Sequence, residues 1–198
     1  MLMKVFPHGT GEGDKPSRYL VRPDYPGRDT APPQILRGDL AMTRALIDSI
    51  ERRWKFTSGA LSWHPNDKVS EEQEEEVMDA FERVAFAGLE ADQRNILWVR
   101  HTHAGHHELH FLIPRLELSS GKDFNACPPG WQKDFDVFRD LFNWREGWAR
   151  PDDPNFLAGS QCFKIHFYNF FSFAQKDFTN AVLHFLVINA EEWNCCSQ

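Results

Sequence analysis

Residues 95–118 read NILWVRHTHAGHHELHFLIPRLEL, and the architecture hangs on how they pair. Aliphatic and aromatic residues crowd 95–101 and 107–118, with the short polar stretch THAGH between them, so the segment predicts two strands joined by a tight loop. Alternate residues of a strand share a face, which puts Glu108 and His110 together with Leu109 on the other side. His101 closes the preceding strand, and a hairpin of this loop length brings it beside that pair. Two imidazoles and a carboxylate with positions left open form the ligand set of a catalytic metal. His103, His106 and His107 lie in or beside the loop, suited to an outer shell or to proton transfer. The competing reading is a polar hairpin that holds no ion.

Working outward, LMKVF (2–6) predicts a first strand, followed by a loop rich in Gly and Pro and a short helix around SRYLV (17–21). Asp14 can cap that helix and Pro16 suits its first turn. The Pro-rich span 23–33 predicts a connector. Residues 39–54 carry Leu40, Leu46, Ile47, Ile50 and Trp54 at helical spacing. KFTSGALSW (55–63) predicts a strand with Gly59 as a candidate bulge. Ser70 and Gln73 make a capping box for the helix SEEQEEEVMDAFERVAF, and 133–148 predicts another amphipathic helix. The order is strand, helix, helix, strand, helix, strand, strand, helix, which indicates an α+β domain with helices over a mainly antiparallel sheet.

The chain has 198 residues, enough for one domain with a proper core. No opening segment resembles a signal peptide, and the longest apolar stretch, AVLHFLVI, is too short to span a bilayer. A cytoplasmic protein without a membrane span is expected. Cys127, Cys162, Cys195 and Cys196 lack ligand-like spacing and suggest neither a disulfide framework nor a cysteine zinc site. The net charge of −7 argues at first against nucleic acid. Residues 67–92, however, hold ten acids against two bases, which exceeds the whole deficit, whereas residues 1–55 hold ten bases against seven acids. A basic face can therefore coexist with an acidic helix, read here as a solvated surface.

Only Tyr19, Tyr25 and Tyr168 offer a phenolic nucleophile. Tyr19 follows the glycine-rich loop and has Lys15, Arg18 and Arg22 nearby, which can hold phosphates and favour a phenolate; an ordinary packed tyrosine is the plainer reading. GTGEG (9–13) lacks dinucleotide-binding spacing and is best taken as a flexible loop.

The segments KVFPHGTGEGDKPSRYLVRPD, LRGDLAMTRALIDSI, KFTSGALSW and above all LWVRHTHAGHHELHFLIPRLELSSGKDFN resemble plasmid mobilization relaxases of the MobA/MbeA type. The similarity runs from about residue 3 to about residue 158. It implies a relaxase/Rep-like α+β fold, an antiparallel five-stranded sheet flanked by helices with the metal site on its central strands. It also implies a DNA strand-transferase that nicks one strand at a transfer origin through Tyr19, leaving a 5′-phosphotyrosine link. The metal set implied is His101, Glu108 and His110, where the His-Glu-Asn subgroup carries Asn in the third place. A second imidazole tilts the expected ion toward manganese, zinc or cobalt, with magnesium as the hard-ion alternative. Expected partners are single-stranded origin DNA, held in part by Lys15, Arg18 and Lys122, and the accessory mobilization proteins of a relaxosome. A water-using metal-dependent phosphodiesterase and a non-catalytic origin-DNA-binding protein are the alternatives. Residues 159–198, rich in Phe, match nothing in the family and are taken as a frameshifted or lineage-specific tail beyond a relaxase domain of residues 1–158.

Overall fold

The structure, a computed structural model, describes residues 1–7 and 9–149. The predicted boundary at 158 and the Phe-rich tail lie outside the described residues. Five strands form one sheet in the order β1-β3-β5-β4-β2, antiparallel at every pairing: β1 (Leu2–Val5), β2 (Gln34–Arg37), β3 (Phe56–Ser62), β4 (Leu97–His101) and β5 (Glu108–Pro114). Helices α1 (Asp14–Val21), α2 (Leu40–Asp48), α3 (Glu71–Ala85) and α4 (Gln132–Glu146) flank it.

The period of two along each strand divides the molecule into a back and a front. Toward the back point Met3, Leu61, Trp98, Leu109, Phe111 and Ile113, meeting Val77, Met78 and Phe81 of α3 and Phe135, Phe138 and Phe142 of α4. Toward the front point Phe56, Leu97, Val99 and Leu112, a smaller core closed by Leu20 of α1 and Ile47 of α2. The 95–118 hairpin supplies the two central strands and both faces of this arrangement.

Several local expectations are corrected. Strand β2 falls between the connector expected at 23–33 and the helix expected at 39–54, in residues that the sequence assigns to no element. It is a four-residue edge strand after two prolines, too short to show a period, and its pairing to β4 is irregular between Ile35 and Arg37. Helix α2 stops at Asp48, so Trp54 is not part of its apolar stripe but stands exposed. Gly59 is not a bulge, because β3 pairs in unbroken register with β5. A side chain there would meet the Lys4 carbonyl and the Phe111 ring at 2.4 Å, so close packing explains the glycine. Asp14 does not cap α1; it opens the helix and pairs with Arg18 and Arg44.

The capping box forms as expected, Ser70 Oγ accepting from the Gln73 amide and the Gln73 side chain accepting from the Ser70 amide. The acidic helix it starts is only partly solvated. Glu74 is buried on the Arg100 guanidinium, Glu75, Asp79 and Glu82 converge on Arg37, and Glu76 receives Arg145. Much of the acid excess is thus neutralised by arginines of the sheet and of α4.

Candidate metal centre and nucleophile

His101 and Glu108 are directly paired across the β4–β5 ladder, and His110 follows Glu108 on the same face beside Val99 and Ala60. One donor atom from each of the three lies within 4.8 Å of the others. They stand at the front where the small core ends. His101 and His110 are buried, Glu108 half-buried.

The hydrogen bonds fix the state of this group. A carbonyl can only accept, so His101 Nε2, 2.8 Å from the Leu20 carbonyl, carries the proton and Nδ1 keeps its lone pair. Burial pushes the imidazole down to about 4, against the help of the Leu20 carbonyl, and the neighbouring His110 and Arg28 push the same way. His101 is therefore neutral, as a ligand must be, and its Nδ1 lone pair, which faces Arg28 Nη2 at 3.3 Å, is the one a cation would have to take from that guanidinium. Burial works to raise the Glu108 carboxyl, but hydrogen bonds and charge from His110 and His106 outweigh it and hold the group down at about 2. The Nε2 of His110 lies 3.2 Å from Glu108 Oε2, and its Nδ1 is buried without a partner. An ionised carboxylate, a neutral imidazole and an orphaned buried nitrogen fit a divalent cation in ligand type and charge.

Of the three loop histidines, two stay with the group. His106 Nε2 is 3.1 Å from the other oxygen of Glu108, Oε1, which also accepts from Ser62 Oγ at 3.4 Å. The His103 ring is 5.4 Å from that of His101 and keeps an unpartnered Nδ1; burial and then Arg28 hold it below its ordinary value. His107 faces the other way, 2.6 Å from Glu74 of α3 and edge-on to Trp63. Strand alternation from Glu108 already required this.

Tyr19 comes to the centre from the last turn of α1. Its ring lies 6.4 Å from both His101 and His110, and 42% of the residue is exposed. Lys15, one turn back on the same helical face, is exposed, and Arg18 is engaged by Asp14. Lys122 is not brought to the centre: it lies by Gly121, whose carbonyl accepts from Arg52, past the Pro114 end of the sheet.

A residue missed in the sequence holds the assembly together. Arg28 is only 1% exposed, yet it has no carboxylate partner among the described residues. Its Nη1 donates to the Tyr19 and Arg22 carbonyls at 2.6 and 3.2 Å, and its Nη2 points at His101 Nδ1 at 3.3 Å. The guanidinium also lies 5.1 and 4.8 Å from the Tyr19 and Tyr25 ring centroids. It ties the end of α1 to β4 and presents positive charge beneath the phenol. Nothing in its local sequence, PGRDT, marks it.

The description of the relaxase nuclease domain of MobA/VirD2-like proteins matches residues 33–143. The chain belongs to the MobA/VirD2-like relaxase family. It is 40% identical over 157 residues to cryptic plasmid protein C of Neisseria gonorrhoeae, covering 78% of this chain and 74% of that protein. It is 38% identical over 155 residues to the DNA relaxase MbeA of Escherichia coli, covering 78% of this chain but 29% of the relative. The chain thus spans under a third of the length of MbeA. No solved structure matches it. Among the described residues, no helix is long and apolar enough to cross a membrane. Cys127, the cysteine within the described residues, is free, and burial pushes its thiol up to about 12, which leaves it inert.

Proposed function

We propose that this relaxase nicks one strand of origin DNA by transesterification through Tyr19. The observation that carries the reading is the meeting of the exposed Tyr19 ring with the His101/Glu108/His110 group, from segments far apart in the chain. The Tyr19 oxygen attacks the scissile phosphorus in line. The new Tyr19–phosphorus bond replaces the bond to the 3′ oxygen, which leaves as a hydroxyl once protonated, and the 5′ end stays on the enzyme. One phosphodiester replaces another, so the step is close to energetically neutral and can reseal the strand.

His101, Glu108 and His110 hold a divalent cation, which when bound neutralises charge on the scissile phosphate. Manganese or magnesium is proposed, with zinc or cobalt favoured more than at a centre with a single imidazole. Arg28 holds Tyr19 and His101 in register and adds a fixed positive charge. His103, whose Nδ1 lacks a partner and whose ring is edge-on to Tyr25 at 5.4 Å, is the loop histidine we assign to the phenol proton, since His107 faces away; His106 steadies Glu108. Single-stranded DNA enters over Lys15 and Arg18, with relaxosome proteins as further partners.

The test is a nicking assay on candidate origin strands with a metal panel, resolving free product from protein-linked product. Wild type gives nick and adduct, and Tyr19→Phe gives neither while still binding DNA. An adduct that survives Tyr19→Phe but not Tyr25→Phe moves the nucleophile. Nicks without any adduct mean hydrolysis by water.

A further inference from the structure

Among the described residues, most arginines are matched to acids: Arg37, Arg44, Arg94, Arg100, Arg139 and Arg145 all make ion pairs. A different cluster stands where β3 begins and β5 ends. Arg53, Arg115 and Lys122 have no carboxylate partner among the described residues, and Arg52 has only Asp123 at 3.5 Å. At their centre Trp54 is 43% exposed, with the Arg53 and Arg115 guanidinium carbons 5.8 and 5.4 Å from its ring centroid. The cluster is held in shape: Arg52 donates to the carbonyls of Arg115 and Gly121 at 2.9 and 3.3 Å, and Arg115 Nε donates to Thr57 Oγ1 at 3.2 Å.

We propose that Arg52, Arg53, Trp54, Arg115 and Lys122 form a second contact for single-stranded DNA, separate from the nicking centre. The proposal rests on the reading of the chain as a relaxase acting on a single strand. An exposed indole among guanidinium planes is a stacking platform for bases, and unpaired cations around it suit phosphates. The two places lie along one strand. Ala60 pairs with His110 at the centre, and Trp54 is six residues before Ala60, just ahead of β3, at most roughly 20 Å away at the rise of a strand.

Helix α1, seated on the small front core, and the glycine-rich loop lie between them. Lys15 lies one turn behind Tyr19, and the glycine-rich loop then passes close to Trp54. The Gly9 carbonyl accepts from the Lys55 and Phe56 amides, and a Cβ on Gly9 would fall 2.3 Å from the Phe56 carbonyl oxygen and 3.4 Å from the Trp54 ring. A strand leaving Tyr19 in this direction reaches Trp54 after about six nucleotides at a stacked rise of ~3.4 Å.

The experiment measures binding of labelled oligo-dT to the full chain at about 4 and about 24 nucleotides, the shorter unable to join Tyr19 to Trp54, since stacking tolerates any base. Wild type should prefer the longer probe. In Trp54→Ala the ratio of long-probe to short-probe affinity should fall by about 5- to 100-fold, the cost of one lost stack. In Arg53→Gln the log–log salt slope for the long probe should drop by about 0.7, one phosphate contact. Thermal midpoints near wild type in both variants establish that the fold is kept. An unaltered ratio and slope would overturn the proposal, as would equal weakening on both probes. Loss of binding to anionic vesicles but not to DNA would assign the patch to a membrane surface and overturn it as well. Adduct formation through Tyr19 is scored separately, so a patch that fails leaves the nicking assignment standing, and the reverse.

Discussion

The two faces of the one sheet are built to different rules. Behind it, Phe81 sits with ring centroids 4.7–5.1 Å from Phe111, Trp98 and Phe135, in a continuous core against α3 and α4. In front, six fully buried apolar residues close under α1 and α2, and the remaining space goes to His101, His110 and Arg28. A single strand serves both: β5 sends Leu109, Phe111 and Ile113 back and Glu108 and His110 forward. The back holds the strands rigid, which lets the front spend stability on buried polar groups. Stability and chemistry are therefore separable by substitution.

The largest effect expected is at the back. Phe81→Ala should cost about 3–5 kcal/mol, through lost burial and the cavity left among these three rings. Metal affinity of the fraction still folded should hardly change. Urea denaturation and metal titration together check this, and a strong loss of metal affinity at unchanged stability would break the division of labour.

Next comes acid sensitivity, which belongs to the front. The folded chain resists protonating His101 until about pH 4, whereas a free imidazole takes its proton near 6.5. Between these values the unfolded state binds more protons, so stability is full above pH 6.5 and falls as pH drops toward 4. Glu108 adds to the loss lower down, because its contribution is present above about 4.5 and disappears toward 2. For metal-free protein the His101 part is at most about 3 kcal/mol. In His101→Gln the decline between pH 6.5 and 4.5 should be much shallower, with His103 supplying what remains, and denaturation curves across that window decide it.

Arg28→Met keeps most of the buried stem but removes the donors that join α1 to β4. The rate of adduct formation should fall about 10- to 100-fold while DNA affinity changes much less, the pattern of a positioning group. Equal loss in both, or recovery of the rate on cooling, would reduce Arg28 to a packing role.

Legibility followed the same division. The hairpin, the capping box at Ser70 and the His101/Glu108/His110 group were readable because strand period and cap chemistry are local properties of the sequence. Edge strand β2 was not, since four residues after Pro32 and Pro33 carry no period and pairing with β4 alone makes them a strand. Arg28 was invisible because its role comes from carbonyls of α1 and a nitrogen of β4, which only folding brings together. The burial of Glu74 was hidden in the same way: a run of glutamates does not say which one meets Arg100.

The smallest effect expected concerns the residue that departs from the His-Glu-Asn pattern. His110→Asn exchanges an imidazole for an amide oxygen, a harder and weaker donor, while leaving Leu109 and Phe111 in the back core untouched. Metal should bind roughly 10-fold more weakly, with preference moving from manganese or zinc toward magnesium. An imidazole must give up its proton to coordinate and an amide need not, so metal binding by the variant should also depend less on pH below neutrality. The asparagine can still donate to Glu108, which keeps the carboxylate oriented, so the fold should be unaffected. Calorimetric titration with manganese and magnesium at two pH values gives both quantities. If neither selectivity nor pH dependence changes, His110 is not a ligand, and His106, already bonded to Glu108, becomes the third donor to test.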